Sequence, residues 1–301
     1  MILFSELVCF LKLKAIANYF EYRYSQICTI LFMKKFNALV CLLVCSLPSM
    51  AYADTVLLLH GYLGSSYEWQ RSNIIEQLDD VGWLNAGVLH INKNRVMASN
   101  EKHNHTRRLY SLELASEKAI DAQVKQLDQY IEYVRHWHTD EQIILIGHSA
   151  GGVVARSYMV NKPNADLIAL VTIASPHLGT KNAELAQSVS ENLLVWLDEL
   201  PGIEKIYRSQ GLFFDLMPNR SDNLIGWLNH QPHPLAEYYS IVRQETDDAM
   251  QDFVVPSSSQ DMNKVYALRG RSKTYSVKSM HSLSYKDGQV IKKILMDLYT
   301  I

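Results

Sequence analysis

Apolar residues in this chain fall into two kinds of pattern. Short uninterrupted runs, Thr55–Leu59, Ile143–Ile146 and Leu167–Ala174, have the character of strands buried on both faces. Val88–Ile91 and Tyr238–Val242 fit the same template. Between these runs the spacing changes. Ile120, Val124, Leu127, Ile131 and Val134 recur every three or four residues, which predicts one buried helix face packed on a sheet. Trp69–Leu78, Val153–Val160 and the series Val290, Ile291, Ile294, Leu295, Leu298 predict further helices. Strands alternating with helices predict an α/β protein with a mostly parallel sheet. Residues 92–110 are polar and read as a loop, and His136-Trp137-His138 reads as a solvated helix end. No internal repeat or low-complexity linker divides the chain, so one domain is expected.

Chemistry enters where strands stop. Ile143–Ile146 runs into Gly147-His148-Ser149-Ala150-Gly151, a G-x-S-x-G sequence followed at once by a helical pattern. A strand that turns so sharply into a helix forces the serine into strained dihedrals and lifts it above the helix N-terminus. The free N–H groups there favour negative charge. Thr55–Leu59 likewise ends in His60-Gly61-Tyr62-Leu63-Gly64. Acyl transfer needs two N–H donors aimed at a developing oxyanion. With Ser149 as nucleophile, the main-chain N–H groups of Ala150 and Tyr62 are the candidates.

These two motifs, with Ser175-Pro176-His177-Leu178-Gly179-Thr180 as a third, resemble those of bacterial lipases and esterases of the α/β-hydrolase superfamily. The resemblance spans roughly residues 54–301. It implies a mostly parallel central sheet flanked by helices, with a helical cap or lid insertion. It also implies a triad in the chain order serine, acid, histidine. His281, just before the C-terminal helical pattern, is the candidate base. His177 is read as a structural histidine of its loop, and His230 and His233 as solvated loop residues. Asp252 is the candidate acid, because Asp252-Phe253-Val254-Val255-Pro256-Ser257-Ser258 resembles the family's Asp-Gly-Val-Val-Pro-x-Ser, with Phe253 where glycine is usual. Asp247 and Asp248 remain alternatives, and Asp261 reads as a surface or helix N-terminal acid. The chemistry implied is cleavage of carboxylic esters, lipid or acylglycerol esters first, through an acyl-enzyme. A short-chain carboxylesterase, a thioesterase and a catalytically inactive binding protein on the same scaffold are the rival readings. No cofactor is expected. No metal is expected either: the position two residues after His281, where related lipases carry a calcium-binding aspartate, is Leu283.

The ends of the chain bear on location. Met33-Lys34-Lys35-Phe36, the apolar run Ala38–Leu47 and Ala51-Tyr52-Ala53 read as a secretory signal cleaved after Ala53. Export to the periplasm or beyond follows as an expectation, and residues 1–32 read as a non-native upstream extension. All four cysteines precede Ala53, so the expected mature chain has no disulfide framework or thiol nucleophile. A formal net charge of −2 gives no sign of nucleic-acid binding. The expected partners are a small ester or lipid and, transiently, a lipid surface; no obligate protein partner is indicated.

Residues 181–235 form the expected insertion. Leu193, Trp196, Leu212, Phe213, Phe214, Leu216, Ile225 and Trp227 give it more apolar surface than a connector needs. Either a cap that shapes the substrate pocket or a helix pair packed without gating would account for it.

Overall fold

The computed structural model describes residues 54–100, 107–139, 141–185, 203–218, 222–244 and 252–299. The expected extension and signal, residues 186–202 of the insertion, and Asp247 and Asp248 lie outside this set.

Eight strands form one sheet: β1 (Asp54–Leu59), β2 (Leu84–Asn92), β3 (Arg95–Ala98), β4 (Arg107–Leu112), β5 (Gln142–His148), β6 (Leu167–Ile173), β7 (Glu237–Arg243) and β8 (Ser272–Val277). Their order across the sheet is β3-β2-β4-β1-β5-β6-β7-β8. Every neighbouring pair is parallel except β2 with β3. Parallel neighbours need long crossovers, and helices supply several of them. The helices are α1 (Glu68–Arg71), α2 (Ile74–Asp79), α3 (Ile120–Trp137), α4 (Ala150–Asn161), α5 (Ile203–Arg208), α6 (Gln210–Leu216), α7 (Leu224–Asn229), α8 (Ser257–Gln260) and α9 (Tyr285–Leu298).

The uninterrupted runs are explained by cover on both faces. Leu57, Leu59 and Leu145 join one core cluster with α3 and α4, whereas Val56, Leu58, Ile144 and Ile146 join another with α2 and α9. Successive side chains point to opposite faces, so a strand covered twice must be apolar throughout. Each fully buried leucine contributes roughly 2 kcal/mol relative to an exposed one.

Several expectations need correction. Residues 92–110 are not a loop throughout: they contain β3 and the first residues of β4. Arg107 and Arg108 disguise β4 as polar. Arg108 is buried against Glu141, which also accepts a hydrogen bond from Thr55 Oγ1 at 2.7 Å, while the Arg107 guanidinium stacks 4.4 Å from the Tyr299 ring. Trp69–Leu78 is broken into α1 and α2 because Asn73 turns left-handed, with φ 56°. His138 does not end α3 in solvent: it is buried, with Nε2 3.1 Å from the Tyr110 hydroxyl.

His233 is also no solvated loop residue. Its Nε2 accepts a hydrogen bond at 2.9 Å from Arg156 Nε, and its Nδ1–H donates to Gln231 O. Arg156, on α4, is fully buried among neutral partners that include Asn229 Oδ1 at 2.7 Å and the carbonyls of Leu228 and His177. Burial pulls its pKa down to about 9, which still leaves a cation at neutral pH. Beside that charge, burial first and Arg156 second hold His233 neutral, with a pKa of about 4. His230 is exposed, as the sequence suggests.

Strand register brings the chemistry to one edge. Leu59 lies beside Gly147 and His148 beside Ile173, so β1, β5 and β6 all deliver their C-terminal residues together. Open parallel sheets bind ligands beyond that edge.

Candidate active site

Ser149 occupies the turn between β5 and α4 with φ 52° and ψ −125°, a conformation side chains seldom adopt. A hydrogen bond from its own N–H to Ile173 O, at 2.8 Å, holds the turn. The crowding explains the flanking glycines. A Cβ on Gly147 would stand 2.5 Å from the Gly152 backbone, and one on Gly151 would stand 2.4 Å from His60 O. Gly151→Ala is therefore expected to lower stability by about 1–3 kcal/mol. A thermal unfolding midpoint equal to that of the wild type would contradict this.

His281 and Asp252 converge on the serine. His281 Nε2 lies 2.9 Å from Ser149 Oγ, and His281 Nδ1 lies 2.8 Å from Asp252 Oδ2. The Asp252 side chain is only 1 % exposed, against 19 % for the His281 ring. Its carboxylate is well supplied with donors. Oδ1 accepts from the N–H groups of Val254 and Val255 at 2.8 and 3.0 Å, and Oδ2 also accepts from Gln260 Nε2 at 2.9 Å. Burial works to raise the Asp252 pKa, but the His281 contact and these main-chain donors together hold it below the usual carboxylate value. A carboxylate therefore faces His281 at neutral pH. Phe253, where the family pattern has glycine, is 71 % exposed, so the larger side chain projects into solvent. Asp261 caps a short 3₁₀ turn instead, accepting from Asn263 N at 2.9 Å.

The loop after β1 is held from behind. Leu114 N–H donates to His60 Nε2 at 3.0 Å, which leaves the proton on Nδ1 for Gly61 O at 2.9 Å. In a trans peptide the Gly61 carbonyl and the Tyr62 N–H point in opposite directions. Fixing one therefore aims the other. Gly61 itself packs so closely on Ser149 that a Cβ there would stand 2.9 Å from Ser149 Cβ. Tyr62 and Ala150 both border a largely apolar cavity of about 390 Å³ that Ser149 also lines. Leu212, Phe213 and Leu216 of α6 form another wall, and the Tyr62 and Phe213 rings meet edge to face at 5.3 Å.

The structure thus brings Ser149, His281 and Asp252 into one chain of contacts, with Tyr62 and Ala150 beside it. His177 stands apart: it is buried, with Nε2 3.0 Å from Thr172 Oγ1, and its carbonyl accepts from Asn229 Nδ2. Its segment also anchors the loop of Asp252, since Thr180 Oγ1 donates to Val254 O at 2.6 Å and Asn182 Nδ2 to Phe253 O at 2.6 Å. Sequence reasoning missed Gln260 and the role of His60, because neither belongs to a reacting set: Gln260 acts by bridging Arg243 N and Asp252 Oδ2, and the tautomer of His60 is set by Leu114 N–H, far along the chain. Among the described residues, no group of three or more His, Cys, Asp or Glu is placed to hold a metal ion.

This geometry can be set against known proteins. Residues 52–193 match the family model of the PGAP1-like alpha/beta domain. The chain has the fold of the α/β-hydrolases. Among solved structures it is similar to the lin2722 product of Listeria innocua, at 16% identity and a TM-score of 0.54, covering 82% of this chain and 94% of that one. It is also similar to the mature form of the Bacillus licheniformis lipase BlEst2, at 17% identity and a TM-score of 0.54, covering 85% and 95%. The propeptide form of that lipase gives a TM-score of 0.58 at 17% identity, covering 85% of this chain and 52% of the other. No curated protein sequence matches the chain.

Proposed function

We propose that this α/β-hydrolase is a serine hydrolase of carboxylic esters, acting through Ser149, His281 and Asp252. The observation that carries the reading is the contact chain from Ser149 Oγ through both ring nitrogens of His281 to a buried carboxylate. The match of residues 52–193 to the PGAP1-like alpha/beta domain and the lipase among the structures of the same fold support the same class. His281 takes the Ser149 proton as Oγ attacks the ester carbonyl. The tetrahedral oxyanion is held by the N–H groups of Tyr62 and Ala150. The alcohol leaves with the proton from His281, and water then repeats the sequence on the acyl-enzyme. Asp252 fixes the imidazole tautomer and stabilises the imidazolium that forms. Every step uses protein groups and water.

The apolar cavity beside Ser149 favours an acyl chain as its occupant, and hence lipid or acylglycerol esters over acetyl esters. Leu212 and Leu216 are buried in the core cluster shared with α3 and α4 and also line this pocket, so α6 is the part of the cap that shapes it. The expected signal implies that the hydrolase works outside the cytoplasm. Among the described residues no helix is long and apolar enough to cross a membrane. The test is a series of p-nitrophenyl esters from acetate to palmitate, read as kcat/KM. A maximum among longer acyl chains is expected. A maximum at acetate would make the protein a short-chain esterase, and absence of turnover and of fluorophosphonate labelling would reduce it to a binding protein.

A further inference from the structure

The ring of His281 is held by Asp252, but the orientation of a histidine also depends on where its main chain sits. His281 lies on the loop between β8 and α9, a segment with no strand pairing of its own. Three groups fasten it. His148, the residue before Ser149, donates Nε2–H to His281 O at 2.9 Å. Burial drives the His148 pKa down to about 3, so the ring is neutral, and a carbonyl partner requires the proton on Nε2. Arg243, the last residue of β7, places Nη2 3.3 Å from His281 O and 3.0 Å from Ser282 O. Asp287 then holds the guanidinium from the other side, with Nη1 at 2.5 Å from Oδ1 and Nη2 at 3.1 Å from Oδ2. Both side chains of that pair are 0 % exposed.

Asp287 is itself immobilised. It closes the capping box of α9, accepting from both the N–H and the hydroxyl of Ser284 at 2.8 Å. The main chain of Arg243 has a separate task. Its N–H donates to Gln260 Oε1 at 2.7 Å, and the Nε2 of the same Gln260 amide donates to Asp252 Oδ2. One residue therefore reaches the acid through its backbone and the base through its side chain. A buried ion pair adds little stability over a packed apolar pair of the same volume. What this pair does supply is a rigid fork at fixed distance from two carbonyls.

We propose that Arg243, held by Asp287, is the positioning residue for His281, fixing the 281–282 main chain so that Nε2 stays in hydrogen-bond reach of Ser149. The proposal rests on the reading of His281 as the catalytic base. It differs from a purely structural role in which kinetic quantity it moves. Displacing a base by about an ångström can cost on the order of a hundredfold in rate, while the acyl pocket on α6 is untouched.

The experiment measures kcat and KM on p-nitrophenyl butyrate, with the rate of fluorophosphonate labelling of Ser149 and a thermal midpoint for each variant. Arg243→Met/Asp287→Leu removes both charges together, so neither is left buried alone, and is expected to stay folded with kcat down about a hundredfold and KM little changed. Labelling should slow in parallel. Arg243→Lys keeps a cation for Asp287 but loses the planar fork. It is expected to recover part of the lost rate, and it provides the test on its own if the double variant fails to fold. Wild-type kcat in either folded variant, or a loss confined to KM, overturns the proposal. His281→Ala run alongside separates the two failures. If it retains activity, the assignment of the base is wrong; if it is dead while the Arg243 variants are not, only the positioning role falls.

Discussion

Ser149→Ala is expected to abolish ester turnover, with a loss on the order of a millionfold in kcat, while leaving the fold unchanged. The reason is local. Oγ is the only atom removed, and its partner in the site is the His281 ring. The Cβ that packs against Gly61 remains, so the loop carrying Tyr62 keeps its neighbour. Alanine and serine also carry the same steric cost at φ 52°, so the strain of the turn is common to both proteins. Stability should agree within about 0.5 kcal/mol. Two measurements check this: p-nitrophenyl ester hydrolysis against the uncatalysed rate, and the mass of the intact protein after fluorophosphonate treatment. A variant that still turns over at the wild-type rate, or still gains the phosphonyl mass, would move the nucleophile elsewhere.

Asp252→Asn should cost about ten thousandfold in kcat, by presenting the wrong hydrogen-bonding pattern to His281. The carboxylate accepts four bonds at once, from the Val254 and Val255 N–H groups, the Gln260 amide and the His281 Nδ1–H. An asparagine has one acceptor oxygen. If that oxygen stays with Val254 and Val255, the NH₂ group faces both Gln260 Nε2–H and His281 Nδ1–H. The imidazole can then meet it only by moving its proton to Nε2, the atom needed to accept from Ser149. The same carboxylate makes stability depend on pH. Burial opposes its charge, yet His281 and the two main-chain donors prevail, and its folded pKa lies below the unfolded value. The stability it contributes is therefore complete above the unfolded carboxylate pKa and is lost as pH falls through the folded one. Asp252→Asn should flatten that acid limb, measured as denaturant midpoint against pH. An unchanged acid limb would show that other carboxylates govern it.

Much of this architecture can be read in the sequence because it rests on short-range rules. β1, β5 and β6 are apolar on both faces and cannot be taken for anything but buried segments, and the three-and-four spacing of α3 survives intact in the fold. The places that escape such reading are those where a distant partner changes what a residue means. Arg107 and Arg108 make β4 read as a polar loop, because nothing local announces that Glu141 and the Tyr299 ring will receive them. His233 and His138 read as solvated for the same reason, and each has a buried partner far along the chain. Asn73 breaks a helix through a backbone angle that apolar spacing does not encode. The candidate site divides similarly. Ser149 and the Tyr62 loop belong to contiguous motifs, whereas the supports of Asp252 and His281 from Gln260 and Arg243 exist only once β7, α8 and α9 have assembled.

Arg156 has a consequence for how this protein could be altered by recombination. Among the described residues its guanidinium has no carboxylate as a hydrogen-bond partner; its charge is dispersed over His233, Asn229 and two carbonyls, all contributed by residues 177–233. The insertion is therefore not a single exchangeable module. A foreign segment ending ahead of Asn223 would leave the acceptors that α7 and His233 offer Arg156 in place. A replacement that ran on through α7 to His233 would instead leave a buried cation stripped of most of its acceptors at the back of the helix that carries Ser149. The boundary that matters for grafting a new pocket lies inside the insertion, ahead of Asn223, and not at its ends.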